Sequence, residues 1–148
     1  MTVPFDGCPF ESSVRVGPEA IEPRHARLFR VVKDRVATLY SVNIDEACRP
    51  AYPRSLRWDY GIWYVRRARR PETRIIFAEV HKAEAGEVSV VIGKRRWLED
   101  LLSGVRLPPE SWFWIPSGRQ LIPKNSTQYR RLVQSGIRLV SRVDIPTE

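Results

Sequence analysis

Between Arg57 and Lys82 the chain reads RWDYGIWYVRRARRPETRIIFAEVHK, two runs rich in Trp, Tyr, Ile, Phe and Val flanking a polar segment with four arginines and a proline. Apolar β-formers around a turn-forming segment predict two antiparallel strands. A turn centred near Arg70 sets Val65 opposite Ile75, Trp63 opposite Phe77, Gly61 opposite Glu79 and Asp59 opposite His81. Side chains alternate across a strand, so Asp59, Gly61, Glu79 and His81 share one face. Asp59 and Glu79 are then diagonal neighbours, about 7–8 Å apart, with Gly61 leaving room between them for one divalent cation. Ile75 and Phe77 on one face of the second strand, and Ile76, Ala78 and Val80 on the other, make that strand central. A carboxylate at its end is costly unless paired or metal-bound.

The remaining pattern supplies a frame for this hairpin. Residues 1–22, with prolines at 4, 9 and 18, read as an irregular lead-in carrying at most a short strand at Ser13–Val16. From Pro23 the apolar positions His25, Leu28, Phe29, Val32, Val36, Leu39 and Tyr40 recur at helical spacing among charged residues, which predicts an amphipathic helix ending near Val42. His25 lies on its apolar stripe, as a hydrogen-bonded core histidine. Asn43–Ser55, with Pro50 and Pro53, is expected to be mostly loop. Val88, Val91, Ile92, Leu98, Leu101 and Leu102 form the buried stripe of a second helix, with Lys94 bordering it on the sheet side and Arg96 pointing away. Trp112–Ile115 is expected to be a strand, residues 116–118 a turn and Gln120–Ile122 a returning strand. Asn125 or Ser126 caps a third helix with Tyr129, Leu132 and Val133 facing inward and Gly136 stopping it, and Ile137–Ile145 is a last strand. The expected fold is α/β: a mixed sheet covered by helices in a single domain over residues 23–148.

Composition adds a class of partner. The formal charge of +8 comes mostly from arginine, which suits phosphate or nucleic acid better than a neutral or cationic partner. Cys8 and Cys48 lack zinc-ligand spacing, so neither a zinc site nor a disulfide framework is expected. No apolar run approaches the roughly 18–20 residues of a membrane span, and the N-terminus lacks the charged and apolar regions of a signal peptide. A cytoplasmic protein with no membrane partner is the expectation.

An aspartate on one strand of a hairpin, a glutamate two positions before a basic residue on the next strand, and a following helix carrying a lysine together resemble the PD-(D/E)xK nuclease superfamily. The matching residues are Asp59, Glu79-Val80-His81 and Lys94, and the resemblance covers residues 23–115. It implies a restriction-endonuclease-like core. It also implies Mg²⁺ or Mn²⁺ held by Asp59, Glu79 and the Val80 carbonyl, with Lys94 orienting or activating the attacking water. Histidine stands at position 81 where the family usually has lysine. As residues, Asp59 and Glu79 offer the oxygen ligands that suit such a cation. His81 is suited to act as a base, as a ligand or as a hydrogen-bond donor to Asp59. The alternative for the carboxylates is pairing with Arg57, Arg66 or Arg74.

The leading expectation is therefore a metal-dependent nuclease acting on DNA. The alternative is a nuclease-like binding or assembly subunit of a defence or repair system that has lost the chemistry, as a homodimer or in a larger assembly. That alternative holds nucleic acid through arginines and stacks bases on Trp112 or Trp114. An immunity or scaffold protein without nucleic acid is a third reading.

Overall fold

The computed structural model describes residues 3–147. β-Branched and aromatic residues crowd Val36–Val42, and this segment is a strand where helical spacing predicts a helix. The region expected as the first helix contains instead a 3₁₀ turn at Pro23–Leu28, strand β2 (Phe29–Val31), a second 3₁₀ turn at Lys33–Arg35 and strand β3 (Val36–Asn43). Val36, Thr38, Tyr40 and Val42 favour an extended pleat. Pairing against the next strand realises that preference, which outweighs the coincidental 3.6-residue spacing. A bulge between Val36 and Thr38 shifts the alternation, so Val36 joins the core on one face while Tyr40 and Val42 join it on the other.

β3 is the antiparallel neighbour of β4 (Tyr60–Arg66), which forms the expected hairpin with β5 (Glu72–Ala83). Its register is two residues tighter than expected. Val65 faces Thr73, Trp63 faces Ile75 and Gly61 faces Phe77, because the turn closes earlier, over residues 67–71. A two-residue shift preserves which face each side chain occupies. β5 then crosses over through α2 (Val88–Leu101) to the parallel strand β6 (Glu110–Gln120), and β6 through α3 (Thr127–Gln134) to β7 (Ile137–Leu139). With β1 (Arg15–Val16) on the far edge, the six-stranded mixed sheet runs β1-β3-β4-β5-β6-β7. The expected turn at 116–118 is part of β6, which bulges opposite Lys82, where Ala83 pairs with Gln120; of the expected returning strand at 120–122 only Gln120 is extended, as the last residue of β6. The expected last strand divides into β7 and β8 (Val143–Ile145), and β8 pairs with β2 in a separate two-stranded sheet.

Both sheet faces are covered. On one, α2 contributes Val88, Val91 and Leu98 and α3 contributes Leu132 against Trp63, Ile75, Phe77, Trp112 and Trp114; on the other, Phe29, Val143 and Ile145 pack on Tyr60, Ile62, Tyr64, Ile76 and Phe113. The N-terminal lead-in is part of the first layer, with Phe5, Cys8 and Phe10 buried. α3 begins as expected, Ser126 Oγ accepting from the Tyr129 amide at 3.1 Å, and ends at Gly136 with φ 78°. Its Val133 is 60% exposed rather than inward. The loop expected at 43–55 holds a short helix, α1 (Ile44–Cys48), capped by Asn43.

Candidate functional site

β4 and β5 deliver the two carboxylates to the end of the hairpin opposite its turn. Continued past Tyr60 and Ala78, their register brings Asp59 beside Glu79, closer than the diagonal spacing expected. The Asp59 amide donates to Glu79 Oε1 at 3.0 Å, and the Val80 amide donates to Asp59 Oδ2 at 2.9 Å. Glu79 points into the α2 layer, where Lys94 Nζ donates to its Oε2 at 2.5 Å. Helical spacing put Lys94 on the sheet side of α2, and the structure brings it to that carboxylate. Arg96 is exposed.

Among the described residues neither acid pairs with an arginine. Arg57 bonds Asp45 at 2.9 Å, Arg74 bonds Glu72 at 2.9 Å, and Arg66 joins neither carboxylate. His81 sits between two acids, its Nδ1 3.6 Å from Glu79 Oε2 and its Nε2 2.6 Å from Glu87 Oε1. Its contact is with Glu87 and Glu79, not with Asp59. Trp114 lies behind this group, its Nε1 donating to the His81 carbonyl at 2.9 Å. Trp112 and Trp114 are 4% and 0% exposed, which removes them as platforms for base stacking.

The electrostatics follow from burial. Glu79 is 0% exposed; desolvation first, and then the Asp59 charge, push its carboxyl up to about 8 against the pull of Lys94. Desolvation likewise raises Asp59 to about 6, opposed by the Val80 N–H and by Lys94. Two carboxylates and one ammonium therefore share the pocket, and near neutrality the acids retain a proton between them.

Asp59 Oδ1 has no hydrogen-bond partner among the described residues. Asp59 lines a cleft of about 420 Å³ together with Val80, His81, His25, Ser117, the basic residues Arg24, Arg49 and Lys82 and the acids Glu22 and Asp45, which pair with Arg24 and Arg49. An adjoining hollow of about 580 Å³ shares Arg24, His25, Val80 and Ser117 and adds Arg27. His25, expected in the core, is half-buried at this cleft, with Nδ1 2.7 Å from the Tyr60 hydroxyl. Burial, and then the charge of Arg24, lower its pKa. Sequence reading missed Arg24, Arg49 and Lys82 as cleft residues. They arrive from three separate segments, and no local pattern joins them.

Gly61 does not make room for an ion. A Cβ there would meet Phe5 Cζ at 3.0 Å, Val42 Cγ1 at 3.2 Å and Ile44 Cδ1 at 3.3 Å, so the glycine admits the ring of Phe5. Among the described residues no three His, Cys, Asp or Glu side chains form a metal-holding group. The hard oxygens of Asp59 and Glu79, with the Val80 carbonyl beside them, nonetheless match in kind the donors that Mg²⁺ takes when one or two carboxylates hold it and water or phosphate completes the shell. No helix among the described residues is long and apolar enough to cross a membrane.

Comparison with protein-family models, curated proteins and solved structures gives no match.

Proposed function

We propose that the chain is a metal-dependent nuclease that hydrolyses phosphodiester bonds in DNA, on a restriction-endonuclease-like core. The observation that carries this reading is the group Asp59, Glu79 and Lys94: two adjoining carboxylates, one at a polar cleft, with an ammonium on the inner one. The hairpin, the crossover helix α2 and the strand β6 around it support the reading, while the first helix that the resemblance covers is replaced here by β2 and β3.

Asp59, Glu79 and the Val80 carbonyl would hold Mg²⁺ or Mn²⁺, which supplies charge neutralisation and an acidified water when bound. Lys94 holds the Glu79 carboxylate in place and sets its amino group behind the proposed metal ligands. His81, bonded to Glu87, holds the end of β5 against the start of α2. Arg24, Arg49 and Lys82 around the cleft meet the flanking phosphates.

A second reading has its own observation. Both Glu79 oxygens are already hydrogen-bonded, and the family lysine's position holds a histidine engaged by Glu87. These features suit a nuclease-like subunit that binds nucleic acid without cutting it.

Incubation with plasmid, linear and single-stranded DNA and with RNA, in Mg²⁺ or Mn²⁺, separates the two. Cleavage is expected, lost in Asp59→Ala. Lys94→Ala is expected to lose about 100–1,000-fold, the usual cost of removing one electrostatic donor from an active site, and at least as much as His81→Ala. No cleavage of any substrate, with wild type indistinguishable from Asp59→Ala, would leave the binding reading. Calorimetric titration with Mn²⁺ checks the metal independently, since Asp59→Ala should abolish the heat.

A further inference from the structure

The turn of the β4–β5 hairpin lies at the end of the sheet away from Asp59, roughly 25 Å along the strands at about 3.3 Å per residue. Residues 67–71 extend beyond the last rungs of both neighbours, since β3 ends against Arg66 and β6 begins against Ile75. Arg67 anchors the base of this turn. Its amide donates to the Arg35 carbonyl at 2.8 Å, and its guanidinium reaches the Val36 carbonyl at 3.4 Å.

Beyond that anchor, Arg69 and Arg70 are exposed and Arg66 half-exposed, and none of the three side chains makes an ion pair or hydrogen bond among the described residues. The second 3₁₀ turn lies alongside and adds Lys33 and Arg35. Segments 33–36 and 66–74 together contain seven basic and two acidic side chains, which is five of the chain's eight net positive charges. Of the two acids, Glu72 is already taken by Arg74. Arg66, Arg69 and Arg70, close together on one turn, repel one another, and a bound polyanion relieves that repulsion beyond what salt screening does.

We infer that this hairpin tip is a second nucleic-acid site, a two-stranded ribbon whose arginines straddle the phosphates of a DNA duplex. A duplex is the committed partner because its major groove, about 12 Å wide, admits a two-stranded β-ribbon. Arginine, which dominates the patch, grips phosphate oxygens in pairs. The site needs neither Asp59 nor a metal. It stands whether or not the cleft cuts.

Fluorescence anisotropy on a labelled duplex, in chelator and from 50 to 200 mM salt, tests it. Each phosphate contact contributes about 0.9 to the slope of log affinity on log salt. Arg69→Gln/Arg70→Gln is therefore expected to lower the slope by about 1.8 and weaken binding at every salt concentration. Arg96→Gln/Arg106→Gln, which removes the same charge from exposed positions elsewhere, should leave both nearly unchanged. Circular dichroism melts of both double variants should match wild type. Equal losses in the two double variants would reduce the effect to net charge and overturn the site. So would absence of duplex binding by the wild type, or preferential sedimentation with anionic phospholipid vesicles through the same two arginines.

Discussion

Glu79 carries its proton at a pH where an exposed glutamate has lost it, and stability should record the difference. Its folded pKa, about 8, lies above the ordinary 4.5. Between those values the native state binds more protons than the unfolded chain, so stability falls as pH rises through the window. In chelator, wild type should lose stability from pH 5 to pH 8 relative to Glu79→Gln, which has no such proton to release. The change should amount to a few kcal/mol at most, since each pKa unit corresponds to about 1.4 kcal/mol. Urea denaturation of both proteins at the two pH values measures it, and an unchanged gap would mean that burial does not govern Glu79. The faces that Asp59, Glu79 and Lys94 occupy were legible in the sequence because alternation along a strand and spacing along a helix are local rules. Those rules placed Asp59, Glu79 and His81 on one face and Lys94 on the sheet side of α2. The contacts between them were not legible, and neither was His81's choice of Glu87, because they depend on the β4–β5 register and on how the chain turns from β5 into α2.

At the scale of elements, the β4 strand shows how one small residue serves packing. Gly61 was expected to clear space for an ion; instead it lets Phe5 lie across β4, edge-on to Trp63 at 5.5 Å. Phe5 keeps φ at 57°, a left-handed value that a bulky residue rarely adopts, so this ring is committed to its place. Gly61→Ala should overpack the site by about 1–3 kcal/mol and lower the thermal midpoint by several degrees, as a circular dichroism melt would show. A midpoint equal to wild type would mean that Phe5 yields freely. The helix α2 was legible from its apolar stripe and α3 from its Ser126 cap. β3 was not, because Leu28, Val32, Val36 and Leu39 fit a helical stripe as well as they fit a bulged strand. Only the partner strand β4 distinguishes the two. β6 was misread for a related reason: Pro116-Ser117-Gly118 has turn chemistry, but β5 holds it extended through a bulge.

Across the whole molecule, the lead-in behaves as core. Phe5, Phe10 and Ile21 are buried, and the loss of a buried phenylalanine costs about 3–5 kcal/mol against a total stability of about 5–15 kcal/mol. Deleting residues 1–22 should therefore abolish the cooperative urea transition that the full chain shows. A truncated chain that still unfolds cooperatively near the wild-type midpoint would restore the boundary at residue 22 expected from the sequence. Burial of such irregular, proline-interrupted segments leaves no periodic mark, so it is absent from any pattern of local spacing. Composition, by contrast, carried directly to the molecule: an arginine surplus must lie on a surface, and much of it gathers at one hairpin tip. Hydrophobic alternation was enough to specify a mixed α/β chain, its central hairpin and the faces on which its charged residues lie, because side-chain direction follows from backbone geometry alone. Tertiary structure decided the strand register, the conversion of an apparent helix into β2 and β3, and the meeting of Arg24, Arg49 and Lys82 around Asp59. Each of these depends on pairing between segments far apart in the chain, where the free energy lies in contacts that no single stretch contains.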